Sequence, residues 1–338
     1  MRSIRAGYCE TNVALLEIRG LKTHFTTDDG WLHAVDDVDL SVNSGETVCL
    51  VGESGSGKSV TAMSVLKLLP MPPGHIVAGQ ILWDGRDLVP LPAAAMQRLR
   101  GREIGVVFQE PMTALNPVYT VGEQICEGLR HHEGLSRAAA LERATELLAL
   151  VHIAQPSRRV HDYPHQLSGG MRQRVMIAMA LACKPRLLIA DEPTTALDVT
   201  IQAQILDLLT ELKERLGMAV LLITHAMGVV AEVAQRVVVM YAGQVIEEGS
   251  VAEVFERPWH PYTQGLIRSI PRIDADAARG TRLVSIPGTV PSLIEPAPGC
   301  RFAPRCGLVR AACLQTTPPL RTVGAGHRVA CILEEPPL

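Results

Sequence analysis

The sequence predicts an α/β fold built around a largely parallel sheet, and three observations carry that expectation. The runs Thr47–Val51, Leu187–Ala190 and Ala219–Ile223 are almost wholly apolar and show no in–out alternation, as strands covered on both faces do. Segments of helical composition alternate with them. The first run passes directly into a glycine-rich loop that opens a helix.

Taken in order, Leu15 to Leu50 reads as short strands, with turn clusters at Thr26-Thr27-Asp28-Asp29-Gly30 and Asn43-Ser44-Gly45-Glu46. A helix from about Ser59 to Leu69 is stopped by Pro70, Pro72, Pro73 and Gly74. Strand and turn return over Ile76–Leu88, and Ala93–Arg130 is mixed. Arg137–Val151 is a helix rich in Ala, Leu, Glu and Arg. Another helix starts near Ser168 and runs through Ala182, and a third spans Gln202–Leu216. Beyond about Arg257 proline is frequent, cysteines cluster and helical periodicity fades, so a boundary is expected there. No internal repeat is visible.

Composition narrows the function classes. The chain has 338 residues, 47% hydrophobic and 20% charged, which excludes wholesale disorder. A net charge of −3 and only 4% aromatic residues argue against nucleic acid as a partner, by phosphate neutralisation or by base stacking. Met1–Asn12 carries arginines but no apolar core, and the most apolar region, Ala219–Gly243, is broken by His225, Glu232, Gln235 and Arg236. The expectation is a soluble intracellular protein whose eight cysteines are reduced; Cys9, Cys49, Cys126 and Cys183 are scattered along the chain.

Gly52-Glu53-Ser54-Gly55-Ser56-Gly57-Lys58-Ser59 fits the pattern G-x-x-x-x-G-K-[ST], between an apolar strand and a helix as that pattern requires. The glycines let the backbone curl so that its N–H groups face phosphate oxygens, and the helix N-terminus adds positive potential. Lys58 is placed to reach the β- and γ-phosphates, and Ser59 offers a hydroxyl to Mg²⁺. The bland reading is a glycine-rich turn with a solvated lysine, and the strand–loop–helix context weighs against it. Downstream, the strand Leu187–Ala190 ends in Asp191 and Glu192. Alone, such a pair is a solvated strand end; beside a phosphate loop, Asp191 can hold Mg²⁺ and Glu192 can polarise an attacking water.

Between these halves stands Gln166-Leu167-Ser168-Gly169-Gly170-Met171-Arg172-Gln173-Arg174, which resembles the signature motif of ABC-transporter ATPases. Gln109, in Val107-Phe108-Gln109-Glu110-Pro111, resembles the Q-loop glutamine of that family. Thr195-Ala196-Leu197-Asp198 resembles its D-loop, and His225 its switch histidine, although Ala226 replaces a common aspartate. The resemblance covers Leu15 to about Val254. It implies a P-loop NTPase fold of ABC type, over 15–254, with an antiparallel β subdomain and a helical signature subdomain over about 110–180; residues 255–338 form an extension. It implies ATP held by Gly52, Ser54, Gly55, Ser56, Gly57, Lys58, Ser59 and Val60, with Phe25 stacking on adenine and Trp31 as its rival. It implies Mg²⁺ held by Ser59, Gln109 and Asp191, and catalysis by Glu192, His225 and Gln109. Ser168, Gly169, Gly170 and Asp198 would close over the nucleotide of a second ATPase subunit.

Arg257-Pro258-Trp259-His260-Pro261-Tyr262-Thr263, Ile286-Pro287-Gly288, Gly299-Cys300 and Pro304-Arg305-Cys306 resemble the tails of dipeptide- and oligopeptide-importer ATPases. That resemblance implies two membrane-spanning permease subunits, an extracytoplasmic solute-binding protein, and a peripheral position on the cytoplasmic face of the inner membrane. Nickel and glutathione importers stand close by as alternatives, and a soluble ABC ATPase or a non-hydrolysing regulatory subunit further off. Coiled-coil insertions and a second fused module, which mark soluble classes, are absent from the sequence.

Cys300, Cys306, Cys313 and Cys331 are spaced C-x5-C-x6-C-x17-C. Free thiols or disulfides are the plain readings, and a reduced compartment disfavours the second. A proline-rich tail with little apolar periodicity calls for a staple. Zinc sites favour a close C-x2–4-C knuckle, which this tail lacks. Wider gaps suit an iron–sulfur cluster, and the family resemblance implies a [4Fe–4S] centre here, with zinc as the alternative.

Overall fold

Two sheets organise the chain. The computed structural model describes residues 14–195, 197–270 and 285–337; the Met1–Asn12 stretch with Cys9, and Ala196, lie outside them. The first region is one long hairpin, β1 (Leu16–Thr27) and β2 (Gly30–Val42), where the sequence suggested shorter strands. The reason is local. The register shifts between Ile18 and Leu21, with Gly20 at φ 54°, so inward alternation breaks while the strand continues. Next come β3 (Thr47–Val51) and α1 (Lys58–Val65), then β4 (Gly74–Trp83) and β5 (Arg86–Asp87). The antiparallel sheet has the order β2-β1-β4-β5.

After α2 (Ala93–Leu99) and β6 (Ile104–Val107) the chain turns helical: α3 (Pro111–Ala114), α4 (Val121–Glu133), α5 (Arg137–Leu150), α6 (Pro156–Arg159) and α7 (Gly169–Leu181). Thr120 and Glu123 form a reciprocal capping box that fixes the start of α4. The chain then alternates through β7 (Leu187–Asp191), α8 (Val199–Leu216), β8 (Ala219–Thr224), α9 (Met227–Val233) and β9 (Arg236–Tyr241). β6, β7, β8, β3 and β9 lie parallel in the larger sheet; with the later strands β10 (Gln244–Ser250), β11 (Arg321–Thr322) and β12 (Arg328–Val329) its order is β11-β12-β10-β9-β3-β8-β7-β6.

Burial on both faces explains the absence of alternation. Leu188, Ala190, Val220 and Leu222 pack into a core shared with α4, α5, α7 and α8. Their neighbours Leu187, Ile189, Leu221 and Ile223 point the other way, into a core shared with α1 and the antiparallel sheet.

The extension does not stand apart. After β10 (Gln244–Ser250), α10 (Val251–Glu256) and α11 (Pro261–Arg268), the strands β11 (Arg321–Thr322) and β12 (Arg328–Val329) join the larger sheet, β12 pairing with β10. Fully buried Glu247 accepts hydrogen bonds from the Trp259 and His260 N–H groups at 2.7 and 2.8 Å and lies 2.8 Å from His327 Nε2. Tyr262 and Phe302 belong to the same core as α7 and α8. Among the described residues, no helix is long and apolar enough to cross a membrane.

Candidate functional site

The loop from Gly52 to Gly57 bridges β3 and α1 with three glycines at positive φ: Gly52, Gly55 and Gly57. Two of these are fixed by crowding as well. A Cβ on Gly52 would fall 2.2 Å from the Met240 carbonyl oxygen, and one on Gly57 would fall 2.4 Å from that of Ala34. Ser54 and Gly55 remain open to solvent, whereas Ser56 is buried and Val60 packs against the core behind α1. Lys58 folds back over the loop, its Nζ donating to the Gly52 and Glu53 carbonyl oxygens at 2.8 and 2.9 Å. Burial pushes its pKa down, against the opposing pull of Glu192, Asp191 and Glu53. A phosphate at the loop would replace those carbonyls as its partner.

The strand end of β7 brings the two carboxylates to this loop. Ser59 Oγ donates to Asp191 Oδ1 at 3.0 Å. Burial raises the Asp191 pKa in spite of that bond, and the charge of Glu192 adds to the rise. The paired hydroxyl and carboxylate are hard oxygen donors that suit Mg²⁺. Glu192 has φ 45°, a left-handed conformation held by its N–H donating to the Ile223 carbonyl. Three side chains converge on its carboxylate: Gln109 Nε2 donates to Oε2 at 2.8 Å, Thr195 Oγ1 donates to Oε2 at 2.9 Å, and His225 Nδ1 lies 3.2 Å from Oε1. Burial alone would raise its pKa, but the bonds from His225 and Thr195 outweigh that and hold it below the ordinary range. The group is therefore ionised and oriented, as a base that polarises water must be.

Phe25 and Trp31 occupy opposite faces of the hairpin. Thr23, on the face of Phe25, lies with its hydroxyl 2.9 Å from that of Ser64 in α1, the helix opened by the phosphate loop. Phe25 itself borders Gly74. Trp31 instead meets His75 and His24, at ring-centroid distances of 5.4 and 6.5 Å. Ser168 caps α7, accepting from the Met171 N–H, and Gly170 packs tightly enough that a Cβ would fall 2.9 Å from Ile201. Asp198 caps α8 by accepting from the Ile201 N–H at 3.0 Å and is exposed, beside the exposed Val199. The signature and D-loop segments thus abut one another at the surface through Gly169, Gly170, Leu197 and Ile201.

In the extension, Cys300, Cys306, Cys313 and Cys331 line one small apolar cavity together with Phe302 and Leu333. The Leu308 and Arg310 N–H groups point at the sulfurs of Cys306 and Cys313, each at 3.4 Å. Burial pushes the Cys300 thiol up to about 11 and raises Cys306 and Cys331 as well, with the neighbouring cysteines adding to the effect. No three of these sulfurs lie within 4.8 Å of one another. A tetrahedral zinc with bonds of about 2.3 Å would need sulfurs roughly 3.8 Å apart. The four thiols face one cavity, and the two N–H donors suit sulfur ligands of a metal centre.

His24, His33 and Asp36 bring their ligand atoms within 4.8 Å, a cluster the sequence did not suggest. The Asp36 carboxylate is already paired with Lys22 at 3.1 Å and with Arg301, and this cationic surround opposes a metal ion. Two contacts that spacing gave no sign of reach the phosphate loop from the extension: the Tyr262 hydroxyl accepts from the Glu53 N–H at 2.8 Å, and Arg305 grips the Glu53 carboxylate at 2.6 and 3.0 Å.

Comparisons with known proteins identify the family and the fold. The family model described as "ABC transporter" matches residues 35–195, and that for the oligopeptide/dipeptide transporter C-terminal region matches residues 246–313. A Brucella melitensis chain named for ATP binding in peptide import is 57% identical, over 94% of this chain and 96% of its own length. The Bacillus subtilis oligopeptide transport ATP-binding protein OppD is 51% identical, over 95% and 89% respectively. Among solved structures, a dimeric ATP-binding cassette in a post-hydrolysis state, bound to ADP and Pi, superposes with a TM-score of 0.63 at 30% identity, over 70% of this chain and 98% of its own.

Proposed function

The chain belongs to the ABC-transporter ATPases, in the branch that serves oligopeptide and dipeptide import, and from that premise we propose how its residues energise transport. It is an ATP-hydrolysing subunit that drives peptide import through partner permease subunits. The observation that carries the residue assignment is the triple grip on Glu192 by Gln109, Thr195 and His225 beside the phosphate loop. The loop N–H groups, Lys58 and Val60 bind the nucleotide, with adenine against Phe25, whose face of the hairpin is the one turned to α1. Ser59 and Asp191 hold Mg²⁺, with Gln109 beside them; the ion neutralises phosphate charge. Glu192 polarises the attacking water and His225 contacts the γ-phosphate. Ser168, Gly169, Gly170 and Asp198 act on the nucleotide of a second ATPase subunit; in support, they sit on an exposed surface and Ser168 caps its own helix.

Residues 15–254 form the ATPase domain and 255–338 an extension whose thiols hold a [4Fe–4S] cluster. Its chemistry is a crosslink that seats the tail against the core. The working assembly pairs two ATPase subunits beneath two permeases on the cytoplasmic face of the inner membrane, with an extracytoplasmic solute-binding protein delivering peptide. The test is reconstitution with the permeases and binding protein of the same operon. Peptide should stimulate ATP hydrolysis and Lys58→Ala should abolish it; stimulation by nickel or glutathione in place of peptides would reassign the solute.

A further inference from the structure

The extension and the phosphate loop meet at Glu53. Its carboxylate lies in a bidentate pair with Arg305, whose side chain is 4% exposed. Its N–H donates to the Tyr262 hydroxyl, and its carbonyl accepts from Lys58 Nζ. Arg305 is fixed on its other edges: Nε donates to the Pro287 carbonyl at 2.9 Å, and the guanidinium lies 5.7 Å from the Tyr241 ring centroid and 6.0 Å from that of Phe302. It ends the short 3-10 turn Ala303–Arg305 that joins Cys300 to Cys306, with the Ala303 N–H bonded to the Cys300 carbonyl and the Cys306 N–H to that of Ala303.

We propose that Arg305 is a positioning residue for the phosphate loop, holding and neutralising Glu53 so that the four-cysteine extension sets nucleotide affinity. Two physical effects combine. An unpaired Glu53 carboxylate would sit beside the phosphates as a like charge and draw Lys58 toward itself. A loosened Glu53 would also release the carbonyl against which Lys58 is aligned. Planar bidentate pairing resists both, and lysine cannot reproduce it. Because Arg305 directly precedes Cys306, the seating of the thiols determines where the guanidinium stands.

The inference rests on the reading that this loop binds ATP, so the full-length chain is compared with Lys58→Ala as control. Binding of a fluorescent ATP analogue, iron content and melting temperature are measured on anaerobically purified protein. Arg305→Met should weaken nucleotide binding about tenfold. Adding Glu53→Gln to Arg305→Met should restore affinity to within about threefold of Glu53→Gln alone, since the charge to be neutralised is gone. A role confined to holding the tail would give no such rescue, and that outcome overturns the proposal, as does wild-type affinity in Arg305→Met. If Arg305→Met is insoluble, Arg305→Lys carries the comparison: about threefold weaker binding, again relieved by Glu53→Gln, is expected, and unchanged binding overturns it. Unaltered affinity in Lys58→Ala would instead remove the nucleotide reading itself.

Discussion

Glu192 Oε1 lies 3.2 Å from His225 Nδ1, across the gap between the ends of β7 and β8. Parallel neighbours in one sheet end at one edge, so a carboxylate and an imidazole 33 residues apart face each other beside the phosphate loop after β3. The same edge receives Gln109 from β6, which completes the hold on Glu192. Four strand ends thus gather these groups at one edge, an arrangement typical of open α/β sheets.

Glu192→Gln should retain ATP binding and lose turnover by about 10²–10⁴-fold, the usual range for a positioned general base. Equilibrium nucleotide binding and steady-state phosphate release together check this; near-normal release would remove Glu192 from the role.

Thr195→Val should move the acid limb of the turnover–pH profile to higher pH. Thr195 donates to Glu192 Oε2 and helps hold its pKa low, so the carboxylate stays ionised as pH falls until that depressed value is reached. Without the bond, protonation begins at higher pH and activity is lost sooner. An unshifted limb would show that Thr195 does not tune the base.

If the signature acts on a partner's site as proposed, Ser168→Arg should suppress hydrolysis while leaving the chain's own nucleotide binding intact. Wild-type turnover should rise cooperatively with protein concentration. Full activity in a strictly monomeric preparation would contradict the shared site.

Cys306→Ser should lose iron and the broad absorbance near roughly 400 nm expected of thiolate-bound clusters. The tail should become protease-sensitive, and ATP should still bind, though more weakly, because Arg305 loses its seat. Colourless wild-type protein with one equivalent of zinc would replace the cluster by a single ion.

Much of this site was legible in the amino-acid order. The phosphate loop is contiguous, its chemistry requires glycine at fixed offsets, and a strand and a helix flank it visibly. Asp191 and Glu192 announce themselves as charges ending an apolar strand. The long hairpin was harder, because bulges near Gly20 break the alternation by which strands are read. β9 lies within the apolar region Ala219–Gly243, and β10 carries Glu247 and Glu248 in its centre, so neither stood out as a separate apolar run.

What the sequence by itself determined was the inventory of groups and the local geometry of those adjacent in the chain: the curled loop, the capped helices and the buried strands. The four cysteines too were visible as a set, though not as a cavity. Tertiary structure alone decided which distant groups meet. The Glu53–Arg305 pair spans 252 residues and forms because the extension returns as β12 beside β10 and buries Phe302 next to Tyr262. Spacing placed that tail beyond every nucleotide motif; packing brings it to the phosphate loop. Short-range order follows from propensity and capping, whereas a contact of that range exists only once the sheet has set the path of both segments.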